Sequence, residues 1–138
     1  AGCNLAWGAS VGTGEFRFKG PAFRDSILTA SSSFADCHLF GDGYYCMPGG
    51  STKALKVNLT TEEVTALAFP DVGGTVKYKG CGVFLHSIFC APYDAHNFLQ
   101  FDTRTETITV MSNQNFYENA KWRRCLVAGQ KLYCAPSS

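Results

Sequence analysis

The sequence predicts an all-β chain made of one repeated unit of four short strands, and three observations carry that expectation. Six of its seven cysteines form two series, Cys37, Cys81, Cys125 and Cys46, Cys90, Cys134, in which successive members lie 44 residues apart. The surrounding residues keep the same period. Phe34, Tyr78 and Trp122 each stand three places before a cysteine, and Tyr45-Cys-Met-Pro48, Phe89-Cys-Ala-Pro92 and Tyr133-Cys-Ala-Pro136 share the order aromatic, Cys, any residue, Pro. Sustained helical periodicity is missing, and Gly, Pro, Asn and Asp fall between the strand-like runs, where a turn needs backbone freedom or a broken ladder.

A period of roughly 40–50 residues with short strands marks the blades of a β-propeller rather than the units of a helical solenoid. A β-sandwich is the competing all-β architecture, but sandwiches rarely repeat at fixed length. The expected organisation is one domain over 1–138, with repeats at approximately 37–80, 81–124, and 125–138 together with 1–36.

The middle unit shows how each element arises. Cys81-Gly-Val-Phe-Leu is a first strand that turns at Leu85-His86 into a second, Ser87-Ile-Phe-Cys-Ala. After the loop 92–96, Asn97-Phe-Leu-Gln-Phe-Asp102 forms a third strand. It turns through Thr103-Arg-Thr-Glu into a fourth, Thr107-Ile-Thr-Val-Met111. Ala54-Leu-Lys-Val-Asn58 and Glu62-Glu-Val-Thr-Ala-Leu67 are the counterparts in the first unit.

At the amino terminus, Asn4-Leu-Ala-Trp7 and Glu15-Phe-Arg-Phe18 read as a third and a fourth strand, with Gly8, Gly12 and Gly14 freeing the turn between them. From Cys46 to Leu55 and from Cys90 to Leu99 is nine residues, and counting from Cys134 through the last residue and on from Ala1 to Leu5 again gives nine. The chain therefore reads as beginning and stopping midway through a blade in matching register. Closure of a ring removes exposed sheet edges, and propellers usually have about 4–8 blades. The expectation is accordingly a homodimer: two chains, each completing the other's half-blade, in a six-bladed two-fold ring. A compact three-bladed monomer is the alternative.

The segments Gly43-Tyr-Tyr-Cys-Met-Pro-Gly49-Gly50 and Phe101-Asp102-Thr103-Arg-Thr105 resemble the second strand with its Gly pair, and the later Asp-x-x-Thr turn, of kelch-type and galactose-oxidase-type propeller blades. The Gly pair becomes Tyr93-Asp94 in the second unit and Ser137-Ser138 in the third, so the likeness is loose. What it implies is the fold. Propellers serve as enzymes, lectins and protein-binding scaffolds alike.

If Gly41-Asp42 is a two-residue turn, Cys37 faces Cys46 at a non-hydrogen-bonded position, where side chains of paired strands approach most closely. Cys81/Cys90 and Cys125/Cys134 repeat the relation, so three disulfides are expected, each clipping one hairpin. Six reduced cysteines filling space between blades is the competing reading. No metal site is expected: the cysteine spacing differs from that of zinc sites, and His38, His86 and His96 take three different places in the repeat. Cys3 is left free or pairs with a second Cys3 across the chain junction.

Twelve Lys and Arg against eleven Asp and Glu give a net charge of +1 without a basic stripe, so no nucleic-acid partner is expected. The longest stretches without Asp, Glu, Lys or Arg, 1–14 and 80–93, are broken by Gly and polar residues and fall short of the roughly 20 apolar residues of a membrane span, so no membrane partner is expected either. The cysteines and the start at Ala1, without Met or a leader, suggest a secreted protein whose signal has been removed.

No residue set compels a catalytic mechanism and no cofactor is expected. Glu62, Glu63, Arg104 and Glu106 sit in outer turns that read as solvated, and Asn58-Leu-Thr60 is a glycosylation sequon in such a turn. The loops after each second strand should gather on one face. They supply the candidate ligand-binding residues Ser51, Thr52, Lys53, Tyr93, Asp94, His96 and Asn97, with Trp122 as a candidate platform. Phe34, Tyr78 and Trp122 otherwise read as packing between blades. The leading expectation is a non-enzymatic, multivalent, lectin-like protein with a carbohydrate ligand. The alternatives are an enzyme with its site in the central channel and a protein-interaction scaffold.

Overall fold

The computed structural model describes residues 34–111 and 117–137 in full and the backbone of 6–9 and 16–19. Every regular element among them is a β-strand. β1 (Ala6–Ala9) pairs antiparallel with β2 (Phe16–Lys19). β3 (Phe34–Phe40), β4 (Gly43–Pro48), β5 (Lys53–Asn58) and β6 (Val64–Ala68) form a four-stranded antiparallel sheet in chain order. β7 (Tyr78–Phe84), β8 (Ser87–Pro92), β9 (Phe98–Asp102) and β10 (Thr107–Met111) repeat it. β11 (Trp122–Ala128) and β12 (Lys131–Pro136) form a two-stranded sheet. Of the strands expected over 4–7 and 15–18, the structure describes 6–9 and 16–19, which puts Gly8 within β1, paired with Arg17, and not in the turn; Cys3, Asn4, Leu5, Gly12, Gly14 and Glu15 lie outside the described residues.

The hairpin register follows the cysteines. Cys37 pairs with Cys46, Cys81 with Cys90 and Cys125 with Cys134, and each pair is a disulfide with Cα atoms 4.0–4.2 Å apart. Beyond the cysteines the register slips in the same place three times: Phe34 pairs with Pro48, Tyr78 with Pro92 and Trp122 with Pro136. Each aromatic stands three positions before its cysteine, whereas proline stands two positions after the opposing cysteine. One residue per unit is therefore left over as a β-bulge.

The two-residue hairpin turns place Gly41, Leu85 and Gly129 at positive φ, 58°, 53° and 62°. This position favours glycine, because a Cβ meets the following carbonyl there. Leu85 is 72% exposed, so no packing offsets its strain. The outer turns are held by Asx bonds at equivalent positions: Asn58 Oδ1 accepts from the Thr60 and Thr61 amides, and Asp102 Oδ1 from those of Arg104 and Thr105.

The first strands carry the contact between units, β7 touching both β3 and β11. Asp36 Oδ2 accepts from Cys81 N at 3.1 Å, and a Cβ at Gly80 would stand 2.0 Å from the Arg123 carbonyl oxygen. Tyr78, Ile88, Leu99, Phe101 and Met47 are fully buried around this seam. The first two full sheets are bound further out by Tyr45. Its ring lies 5.4 Å from that of Phe101, and its hydroxyl donates to the Thr103 carbonyl at 3.4 Å and to Glu106 Oε1 at 3.3 Å. Lys56 Nζ completes the group 2.5 Å from Glu106 Oε1. Glu106 lies in an exposed turn as expected, and from there its carboxylate also reaches Tyr45 and Lys56 of the neighbouring sheet.

Replacing Gly80 by Ala should lower stability by about 2–3 kcal/mol, because the added methyl meets backbone that cannot move aside. Leu85→Gly should raise it by about 0.5–1 kcal/mol, the relief of strain exceeding the entropy that glycine adds to the unfolded chain. Thermal denaturation monitored by circular dichroism measures both. Mild reduction should open Cys125–Cys134 first, because Cys81 and Cys90 are 2% and 0% exposed while both members of the third pair are half-buried. Mass spectrometry after thiol alkylation reads that order, and loss of one such short clip should destabilise the chain by about 2–3 kcal/mol.

Candidate binding face

The loops that follow the second strands are fastened to one another by backbone hydrogen bonds that repeat with the unit. Lys77 N donates to the Gly49 carbonyl at 2.8 Å and the Lys77 carbonyl accepts from Tyr93 N at 2.8 Å. One unit on, Lys121 N donates to the Tyr93 carbonyl at 3.1 Å and the Lys121 carbonyl accepts from Ser137 N at 2.9 Å. Residues 49, 93 and 137 are thus held in a row, each linked through the residue just before or adjoining the next first strand. Among the described residues these bonds tie the three loops to one another in sequence.

The candidate residues play unequal parts in these loops. Ser51 is 2% exposed and its Oγ accepts from Lys53 N at 3.0 Å, so its hydroxyl shapes the loop, while Thr52 is exposed and Lys53 half-buried at the start of β5. Asp94 is a staple: Oδ2 accepts from Val76 N at 3.1 Å and Oδ1 from Ala120 N at 3.0 Å. The His96 amide donates to the Val72 carbonyl, and its ring lies 5.1 Å from that of Tyr117. The carbonyl of Asn97 accepts from the Tyr78 hydroxyl at 3.0 Å. Tyr78 itself is buried, the packing role expected of that series.

Trp122 faces another feature. Its ring lies 5.5 Å from that of Phe98, and with Phe89, Leu99, Met111 and Leu132 it lines an apolar cleft of about 340 Å³ between the second full sheet and the two-stranded one. Phe89 is the repeat counterpart of Tyr45, which β9 and the β9–β10 turn cover at the preceding junction. At this junction, among the described residues, no third and fourth strands cover it.

Sequence reasoning overlooked Lys79 and Arg123. Both follow the repeated aromatic, in the bulge, and a bulge re-aims its side chains. Lys79 Nζ stands 3.8 Å from the centre of the Tyr93 ring, and Arg123 Nε donates to Ser137 Oγ at 2.8 Å. Lys79 foremost, then Ser137 and Arg123, hold the Tyr93 phenol below its ordinary pKa. The unequal spacing around the cysteines, three residues on one strand against two on the other, was the signal that could have located them. Among the described residues no three of His, Cys, Asp or Glu converge as metal ligands would.

Tyr93 should ionise below the ordinary tyrosine value of 10.0, whereas burial raises Tyr78 far above it. An ultraviolet difference titration should therefore lose its earliest rise in Tyr93→Phe. As pH climbs past 10.0 only the unfolded chain releases the Tyr78 proton, so Tyr78's contribution to stability, intact below that pH, is lost above it. Chemical denaturation across that range measures the decline. Compared with known proteins, the chain matches no family model and no curated protein.

Proposed function

We propose that this chain is half of a six-bladed β-propeller, formed by two copies, whose loop face binds glycans without catalysing a reaction. The observation that carries the reading is the row of backbone bonds through Lys77 and Lys121, which spaces equivalent loops regularly on one face. Such spacing suits several weak contacts made at once, the usual route to useful affinity for a polymeric ligand. Tyr93 offers an aromatic surface for stacking against a sugar ring, and Thr52 and Lys53 offer hydrogen-bond donors.

The two units of four antiparallel strands, joined through their first strands, support the blade reading and its kelch-type and galactose-oxidase-type resemblance. Closure by a second copy is supported by complementarity. β11 and β12 are a first and second strand with Tyr133 and Leu126 54% and 59% exposed, and the adjoining cleft has the shape of a missing inter-sheet contact. β1 and β2 are a separate pair whose sequence corresponds to third and fourth strands. Seated beside β12 of another copy, they would pair with the edge that no described strand covers and close over the cleft. Three disulfides suit an oxidising, extracellular setting.

Light scattering after size exclusion should give twice the 15.0 kDa of one chain, and Leu132→Arg, which places a charge in the cleft, should shift the mass to one chain. A single-chain mass for the unaltered protein would falsify the two-copy ring. Glycan-array binding at micromolar to millimolar concentration is the expected outcome for the loop face, and a silent array would remove the lectin reading.

A further inference from the structure

We propose that Lys79, Tyr93, Arg123 and Ser137 form an anion subsite for an acidic saccharide, holding the carboxylate or sulfate group of a sugar. The inference rests on the glycan-binding reading and narrows its ligand class.

Lys79 and Arg123 take the same place in successive repeats, one residue after the aromatic, where the first unit has Ala35. Their strands, β7 and β11, are neighbours, and the Gly80 backbone lies against Arg123. Both side chains belong to a bulge, Lys79 standing over the Tyr93 ring and Arg123 on Ser137, and backbone bonds through Lys121 hold residues 93 and 137 side by side. Two cations drawn to one point repel each other unless an anion lies between them.

Among the described residues, neither is neutralised. Three other cations have acids beside them: Lys56 pairs with Glu106, Arg104 lies near Asp102, and Lys121 has Asp94 and Glu118 nearby. Lys79 has the Tyr93 ring, and Arg123 has Ser137. The Asp94 carboxylate, next in sequence to Tyr93, is turned away onto the amides of Val76 and Ala120. The downward shift of Tyr93 has the same origin, since its oxygen lies where negative charge is favoured.

The geometry suits an acidic sugar better than a free inorganic ion. Ser137 holds Arg123 through Nε, which orients the planar guanidinium, and such a fork matches the paired oxygens of a carboxylate or sulfate. Lys79 adds a point charge, and the Tyr93 ring adds an aromatic surface beside it.

The test uses one sugar backbone in three forms: oligosaccharides of dextran, carboxymethyl dextran and dextran sulfate, titrated calorimetrically into the folded protein at low and at physiological salt. Both charged forms should bind at least about tenfold more tightly than the neutral one, with the difference shrinking as salt screens it. Whichever of the two binds more tightly identifies the acidic group. Arg123→Gln and Lys79→Gln should each weaken charged binding about tenfold at an unchanged melting temperature, whereas Lys131→Gln, at the far end of β12, should not. Equal binding of neutral and charged forms, or equal loss in all three variants, overturns the subsite. Neutral sugars bound independently of Lys79 and Arg123 overturn the subsite while leaving the glycan reading in place. No binding to any of the three forms together with a silent glycan array removes both.

Discussion

The close approach of the first strands, β3 to β7 to β11, is the constraint on which the rest of this structure depends. At Gly80 the neighbouring backbone comes so near that no side chain fits, and at Asp36 a carboxylate reaches across to an amide of the next unit. Backbone bonds through Lys77 and Lys121 extend the same seam to the loops. Each of these contacts uses main chain or a residue beside the bulge. The slip in register therefore does two jobs: it lets the strands nest, and it turns the following side chains toward the loop face.

Away from the seam the units differ in how they are sealed. Between the two full sheets, Tyr45, Phe101, Lys56 and Glu106 form a junction in which ring packing, a phenol hydrogen bond and an ion pair share the same few residues. Burial raises the pKa of Tyr45, and the hydrogen bond to Glu106 raises that of Lys56. At the next junction the counterpart residue is Phe89, and it borders a cleft. The same position in the repeat thus shows one sealed and one open junction, and the disulfides brace each hairpin whichever of these it borders.

The loop face separates residues that build from residues that remain available. Ser51 and Asp94 spend their oxygens on loop amides, and Asn97 accepts the buried Tyr78 hydroxyl through its carbonyl. Lys79, Tyr93 and Arg123 carry charge and an aromatic surface that no acid among the described residues engages. Polar residues in a loop therefore do not make a site by composition. What distinguishes a site is which groups are left over once the loop's own amides are satisfied.

The sequence by itself determined the unit, its 44-residue period, the pairing of six cysteines and the turns at Leu85-His86 and Thr103–Glu106, because these rest on local spacing and on side-chain alternation in antiparallel strands. The Asx turns at Asn58 and Asp102 belong to the same local class. Only the tertiary structure decided that each aromatic is followed by a bulge, that Glu106 crosses to another sheet and that Asp94 is a staple. It also brought Lys79 and Arg123 together at Tyr93. These facts depend on where a neighbouring unit places its backbone, and a period in one dimension does not contain the distance between repeats in three.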